Sequence, residues 1–202
     1  RAGLNSSQRV RGKDYVIYQE SHPHLMNASV NTALKTVLFV FALLLPVLSG
    51  KPVLAGVPEH SGTYSDWNVF TFDDGAGKVC YLASQPIKST GKYKTRGEVH
   101  FLVTHYAKRK EAAVINIITG YTYKENSDVL VSIGGNEFEL FTDGDKAWAF
   151  NEAADRAFVI AMKRGRNMTV KGKSSRGTQT TDIFSLTGFS AAFKAAGKAC
   201  GK

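Results

Sequence analysis

Two cysteines stand among 202 residues, too few for a disulfide-dense scaffold or a four-cysteine zinc site. Proline is also scarce, with five in the chain. The longest apolar run, residues 37–48, has twelve residues, short of the roughly 18–20 that a helix needs to cross a bilayer. A Gly-rich phosphate loop, a Gly-x-Ser-x-Gly elbow and a His-Glu-x-x-His pair are all missing, which removes the common motif-borne chemistries. What is present can fill a core: 43% of the residues are hydrophobic, with 12 Phe and 8 Tyr. That excludes a wholly disordered or collagen-like chain. Lys and Arg outnumber Asp and Glu by 26 to 17, a formal net charge of +9.

The apolar run follows Lys35 and precedes Val53 and Ala55. A basic start, a short apolar stretch and small residues before a cut are the marks of a secretory signal peptide. Cleavage is expected between Ala55 and Gly56, and Met26 supplies a start that makes residues 26–55 the presequence. Residues 1–25 carry scattered charge and no apolar periodicity, and read as a disordered upstream extension. His22 and His24 have nothing near them to complete a metal site. Six cations and two anions leave with residues 1–55, so residues 56–202 keep 20 Lys and Arg against 15 Asp and Glu, a net +5. That stretch has the size of one domain. The expected compartment is the periplasm or cell envelope.

An exported chain meets oxidising conditions, where two thiols commonly pair. A Cys80–Cys200 bridge is expected as a structural staple, since a redox-active pair normally shows Cys-x-x-Cys spacing.

Residues 56–202 are patterned mainly as strands. Residues 67–72 alternate apolar and polar side chains, Asp73 to Gly77 turn the chain, and 79–84 follow up to Pro86. Further β-rich runs lie at 98–106, 112–119, 129–133, 138–141, 147–150, 168–172 and 178–186, separated by Gly- and Asp-bearing turns. Two helices interrupt the pattern. One covers 152–164, with Lys163 and Arg164 in its last turn and Gly165 beyond. The other covers 191–199, capped by Ser190 and carrying Cys200 at its end. The pattern predicts a mainly β sandwich or barrel with one or two short peripheral helices.

Candidate chemistry is sparse. His100 and His105 lie five apart in one strand, so they point to opposite faces and are expected to be one packed and one solvated histidine. An enzyme acting on envelope polymers would have to bring His100, His105, Asp143 and Asp145 into one cleft. A small-ligand carrier would need Trp67, Tyr81, Trp148 and Phe150 around one pocket, where a core role competes. Neither a metal nor a cofactor is implied. The basic stretch 163–176 holds Lys163, Arg164, Arg166, Lys171, Lys173 and Arg176 with no acidic residue. It is a candidate surface for an anionic envelope macromolecule or an anionic membrane, against the alternative of simply solvated charge. Export sets nucleic acid aside as a partner.

Three blocks carry a resemblance: Asp66, Trp67 and Val69 with Cys80 in the next strand; residues 159–165 followed by Met168, Thr169 and Val170; and residues 176–192 ending at Cys200. In this order they resemble the invasion-associated locus B family, secreted envelope proteins of Gram-negative bacteria. The resemblance covers about residues 63–202. It implies an immunoglobulin-like β-sandwich and a non-enzymatic protein that binds a macromolecular or membrane-surface partner, and it brings no catalytic residues to carry over. Many members have a further cysteine shortly after the tryptophan. Phe70, Thr71 and Phe72 stand there instead, so no second disulfide is expected.

Overall fold

In the computed structural model of the chain, residues 56–110 and 113–202 are described. The expected upstream extension 1–25 and signal peptide 26–55 lie outside the described residues. Strand β2 (Trp67–Asp73) and strand β3 (Lys78–Ser84) pair antiparallel around the expected turn. The Asp73 carboxylate accepts from the Gly75 amide, and the Asp74 carboxylate accepts from the amides of Ala76 and Gly77. Short acceptors that hold their own backbone are why Asp suits such turns.

The remaining strands are β1 (Glu59–Tyr64), β4 (Lys88–Gly91), β5 (His100–Tyr106), β6 (Val114–Ile118), β7 (Asp128–Ile133), β8 (Asn136–Asp143), β9 (Lys146–Trp148), β10 (Asn167–Lys173) and β11 (Gln179–Ser185). All pair antiparallel in one ladder of order β1-β2-β3-β5-β6-β9-β8-β7-β10-β11-β4. The ladder folds over at the three-residue strand β9, which pairs β6 on one side and β8 on the other. Alternate residues of its two halves then meet in one core. Trp67, Leu82, Phe101 and Ile115 come from one half, and Val131, Leu140, Met168 and Phe184 from the other. Phe101 and Phe184 touch edge-on at 5.8 Å, and the buried Trp67 donates its Nε1–H to the Ser185 carbonyl at 3.1 Å. The result is the mainly β, sandwich-like class that the sequence pattern predicts.

Strands β1 and β4 were not expected. They are the outer strands of the ladder, and neither has an apolar alternation to read because their residues are largely exposed. A strand at an edge is held by backbone hydrogen bonds on one side only and does not need a buried face.

Helix α1 (Glu152–Arg164) has the predicted bounds. Asn151 caps it by accepting from the Ala154 amide. The stop at Gly165 has a packing cause rather than a left-handed turn. A Cβ there would lie 2.7 Å from Ile133 and 2.8 Å from Leu186. Buried Asp155, on the same helix, accepts from the Ile115 amide and ties α1 to β6. Helix α2 (Phe189–Ala199) starts earlier than predicted, and its N-cap is Gly188, not Ser190. Gly188 has φ 87° and lies so close to the Tyr64 backbone that a Cβ would fall 2.0 Å from its carbonyl oxygen. Close approach to β1 therefore decided the helix start, not side-chain capping. Helix α2 packs on β2, β3 and β5 and is fastened by the expected Cys80–Cys200 disulfide.

Candidate functional site

The loop between β4 and β5, the segment after β6 and the β10–β11 turn meet at one end of the fold. Two glycines let the first two segments touch: Gly97 donates its amide to the Gly120 carbonyl at 2.9 Å. Gly120 has φ 73°, and a Cβ on it would lie 2.3 Å from the Gly97 oxygen, so no other residue fits. The chain then passes Tyr121 and Tyr123, whose rings meet edge-on at 5.3 Å. Gly172 of β10 makes room for both. The Thr122 carbonyl accepts from the Ser175 amide and the Lys173 carbonyl from the Lys124 amide, pinning the β10–β11 turn to this segment.

Arg96 is the centre of the construction. Its two terminal nitrogens donate to the two oxygens of Asp182, each at 2.7 Å, and its Nε donates to the Thr119 carbonyl at 2.7 Å. Both side chains are buried, 5% and 4% exposed. The guanidinium carbon lies 5.6 Å from the Tyr93 ring centroid and 4.9 Å from that of Tyr121. Burial works against the charge, but the hydrogen bonds and charge of Asp182 outweigh it and hold the Arg96 pKa above its ordinary value. Burial pushes the Tyr123 hydroxyl up, with Tyr121 adding to it, so that phenol stays protonated. Arg96 is therefore a fixed strut, and the rings it touches are fixed with it.

Above this strut runs a groove of about 630 Å³. Lys92, Lys94 and Arg176 line it together with Tyr93 and the hydroxyl side chains of Thr95, Thr122, Ser175 and Thr178, and no carboxylate is among its lining residues. Such a surface attracts anions and can hydrogen-bond polar groups along its length. Of these residues only Arg176 was singled out in the sequence. The signal that could have found the others is the Lys-Tyr-Lys-Thr-Arg run at 92–96, where cations alternate with polar and aromatic residues.

The basic stretch 163–176 is divided by the fold. Lys163 lies with its ammonium 4.3 Å from the Phe193 ring centroid of α2. Arg164 borders an apolar recess beside Ile160 and Phe138. Arg166 precedes β10, Lys171 and Lys173 stand on the outer face of β10, and Arg176 belongs to the groove. Strand β10 spans seven residues at roughly 3.3 Å each, so the two ends of the run are about 20 Å apart.

The other candidate constellations are not assembled. Trp67 is in the core, Tyr81 stacks on Phe70 at 5.0 Å on the opposite face, and Phe150 packs on Phe141. Together with Trp148 on β9 they do not surround one pocket, because successive strand residues face opposite ways. His100 meets Glu98 at 3.0 Å on the outer face, and His105 is buried on the inner one, as the spacing predicts. Asp143 and Asp145 flank the β8–β9 turn, where Lys146 pairs Ile118 and Ile118 pairs His100, so two strand spacings, about 10 Å, lie between that turn and His100. Among the described residues no group of three His, Cys, Asp or Glu side chains is placed to hold a metal ion, and no helix is long and apolar enough to cross a membrane.

A disulfide-fastened, mainly β fold with an arginine-braced basic groove is thus the class to which the geometry points. The sequence model of the family described as Invasion associated locus B (IalB) protein matches residues 67–197. The chain belongs to this family. No curated protein and no solved structure matches it.

Proposed function

We propose that this protein is an exported, non-enzymatic envelope protein that binds an anionic polysaccharide in the groove above Arg96. One observation carries the reading: three cations, Lys92, Lys94 and Arg176, converge on a concave surface with no carboxylate in its lining. A flat membrane surface would be met by an exposed cationic plane, whereas a groove edged with hydroxyls and a tyrosine ring fits a chain of sugar units bearing negative charge. The absence of a motif-borne catalytic set and the placement of His100 and His105 on opposite faces of β5 support binding over hydrolysis. The apolar run before Ala55 and the disulfide support export.

The test compares the wild-type chain with the triple variant Lys92→Ala, Lys94→Ala, Arg176→Ala in calorimetric titrations. The probes are polygalacturonate and vesicles containing phosphatidylglycerol. The wild type is expected to bind the polyuronate in preference to vesicles, and the variant to lose on the order of tenfold or more in affinity, equivalent to about 1.4 kcal/mol. Equal binding by the variant, or a preference for vesicles, contradicts the proposal. Intact mass of the protein from native envelopes tests export: a chain beginning at Gly56 is expected, alkylated only after reduction.

A further inference from the structure

A second recess, of about 450 Å³, opens on the outward face of β2, β3, β5 and β6, a volume in the range of small-molecule sites. Strand register explains its shape. Phe70 stands opposite Tyr81, Asn68 opposite Ala83, Ala83 opposite Leu102, and His100 opposite Ile118. Ala83 is thus a small side chain among larger ones, and the floor dips there. Three strands and three rows of outward residues give a floor of roughly 10 by 13 Å. Its walls are held by backbone contacts. One is the β1–β2 turn, where Ser65 has φ 52° and the Asp66 amide donates to the Thr187 carbonyl at 3.4 Å. Another is the segment after β3, where buried Ser84 donates to the Gln85 carbonyl at 3.3 Å and the Ile87 amide to the Ile183 carbonyl at 2.8 Å. Ile87 is 59% exposed at this rim, so its side chain serves no core.

The polar groups of this lining are accessible and unengaged. Asp66 is exposed, and its carboxylate has no hydrogen bond or ion pair among the described residues. The Thr63 hydroxyl donates to Asn68 Oδ1 at 2.7 Å, and His60 Nε2 lies 3.3 Å from the same oxygen. That fixes the amide and leaves Asn68 Nδ2 as a donor without a partner among the described residues. A carboxylate only accepts, and an amide nitrogen only donates. An ammonium group would serve Asp66 and not Asn68. A carboxylate or phosphate would serve Asn68 and be repelled by Asp66, with no Lys or Arg in the lining to offset that; His100, also in the lining, is met by Glu98 at 3.0 Å. A hydroxyl both donates and accepts, so an uncharged ligand rich in hydroxyls answers both groups. Phe70, Tyr81, Leu102 and Ile118 are half-buried and present apolar surface to the C–H groups of a ring.

We infer that this recess binds an uncharged sugar, about two rings long, with Asp66 accepting from its hydroxyls, Asn68 Nδ2 donating to them, and a ring lying over Ala83 beside Phe70, Tyr81 and Leu102. The site stands apart from the groove above Arg96 and has the opposite electrostatic preference. Lys92, Lys94 and Arg176 attract a polyanion there, whereas Asp66 turns anions away here. A polyuronate that fills the groove is therefore expected to leave this recess untouched.

The experiment is an amide NMR titration of the oxidised chain with maltose, cellobiose, lactose and N,N′-diacetylchitobiose in turn. It follows residues 65–70, 81–87 and 100–102 and the side-chain amides of Asn68 and Gln85. At least one disaccharide is expected to give a saturable shift confined to these signals. Asp66→Ala, at an exposed position, is expected to weaken that binding about tenfold. Ala83→Phe fills the recess from an outward position and is expected to abolish the shift while the rest of the spectrum stays in place. Putrescine and polygalacturonate oligosaccharide are expected to leave these signals unmoved. No saturable shift with any of the disaccharides, a shift that survives Ala83→Phe, or tighter binding of putrescine overturns the inference. The triple variant Lys92→Ala, Lys94→Ala, Arg176→Ala is expected to keep the disaccharide response, so failure of this site and failure of the groove are read separately.

Discussion

The Arg96 guanidinium and the Asp182 carboxylate face each other as a two-pronged ion pair, 2.7 Å on both arms, with both side chains almost wholly buried. Arg96 comes from the loop before β5 and Asp182 from β11, so the pair fastens the loop that carries Lys92 and Lys94 to the second half of the ladder. A buried pair of this kind is weak evidence for net stability, because two charges must be desolvated. Removing one partner is costly because the other charge is stranded.

Asp182→Ala is therefore expected to lower unfolding free energy by about 3–5 kcal/mol, read from urea titration of the oxidised protein. The double change Arg96→Met, Asp182→Leu should cost much less than the single one. Additive losses in the double variant would show that the two residues act independently.

Trp67 links the first and last parts of the fold. Its ring meets Phe101 at 6.2 Å and Phe189 at 5.1 Å, and its Nε1–H reaches the Ser185 carbonyl. Trp67→Phe keeps an aromatic ring but leaves that carbonyl unpaired and part of the space empty. A loss of about 2–4 kcal/mol is expected. A change below ~1 kcal/mol in denaturant unfolding would show that the indole nitrogen is dispensable.

The disulfide closes a sequence separation of 120 residues. Restricting the unfolded chain by a loop of that length is worth roughly 4–5 kcal/mol before any strain. Cys200→Ser should lower the midpoint of thermal unfolding, and reductant should do the same to the wild type but not to the variant. Equal midpoints with and without reductant would place the staple's contribution near zero.

His105 gives the pH dependence a sign. Its folded pKa lies near 4, below the ordinary histidine value of 6.5, so between these values the unfolded chain binds the proton and the folded one does not. Stability from this group is fully present above about 6.5 and is lost as pH falls towards about 4. Unfolding curves of the wild type and His105→Phe should therefore differ in slope across that window, the wild type weakening more steeply in acid. Parallel curves would mean that His105 is not held neutral.

The legibility of this fold follows where side chains are constrained by period. Strands β2 and β3 and helix α1 were readable because their buried faces impose an alternation or a 3.6-residue repeat. The Cys80–Cys200 staple was readable from the scarcity of cysteine. Strands β1 and β4 were not, since their positions come from neighbours and not from their own residues. The start of α2 was lost for the same reason, as Gly188 answers to Tyr64, more than a hundred residues earlier. The groove was the least visible feature. Lys92 and Lys94 are more than eighty residues from Arg176 in sequence, and the β4–β11 pairing, the Gly97–Gly120 approach and the Arg96–Asp182 pair bring them to one surface. The contiguous basic run, by contrast, was the obvious charge signal and is spread along β10.

The most direct test of the account is an amide chemical-shift map of the oxidised chain titrated with polygalacturonate oligosaccharide. The expected perturbations cluster at residues 92–97, 120–122 and 174–180 and disappear in the Lys92→Ala, Lys94→Ala, Arg176→Ala variant. Perturbations confined to the Phe70–Tyr81 face, or none at saturating oligosaccharide, would contradict the groove as the binding site.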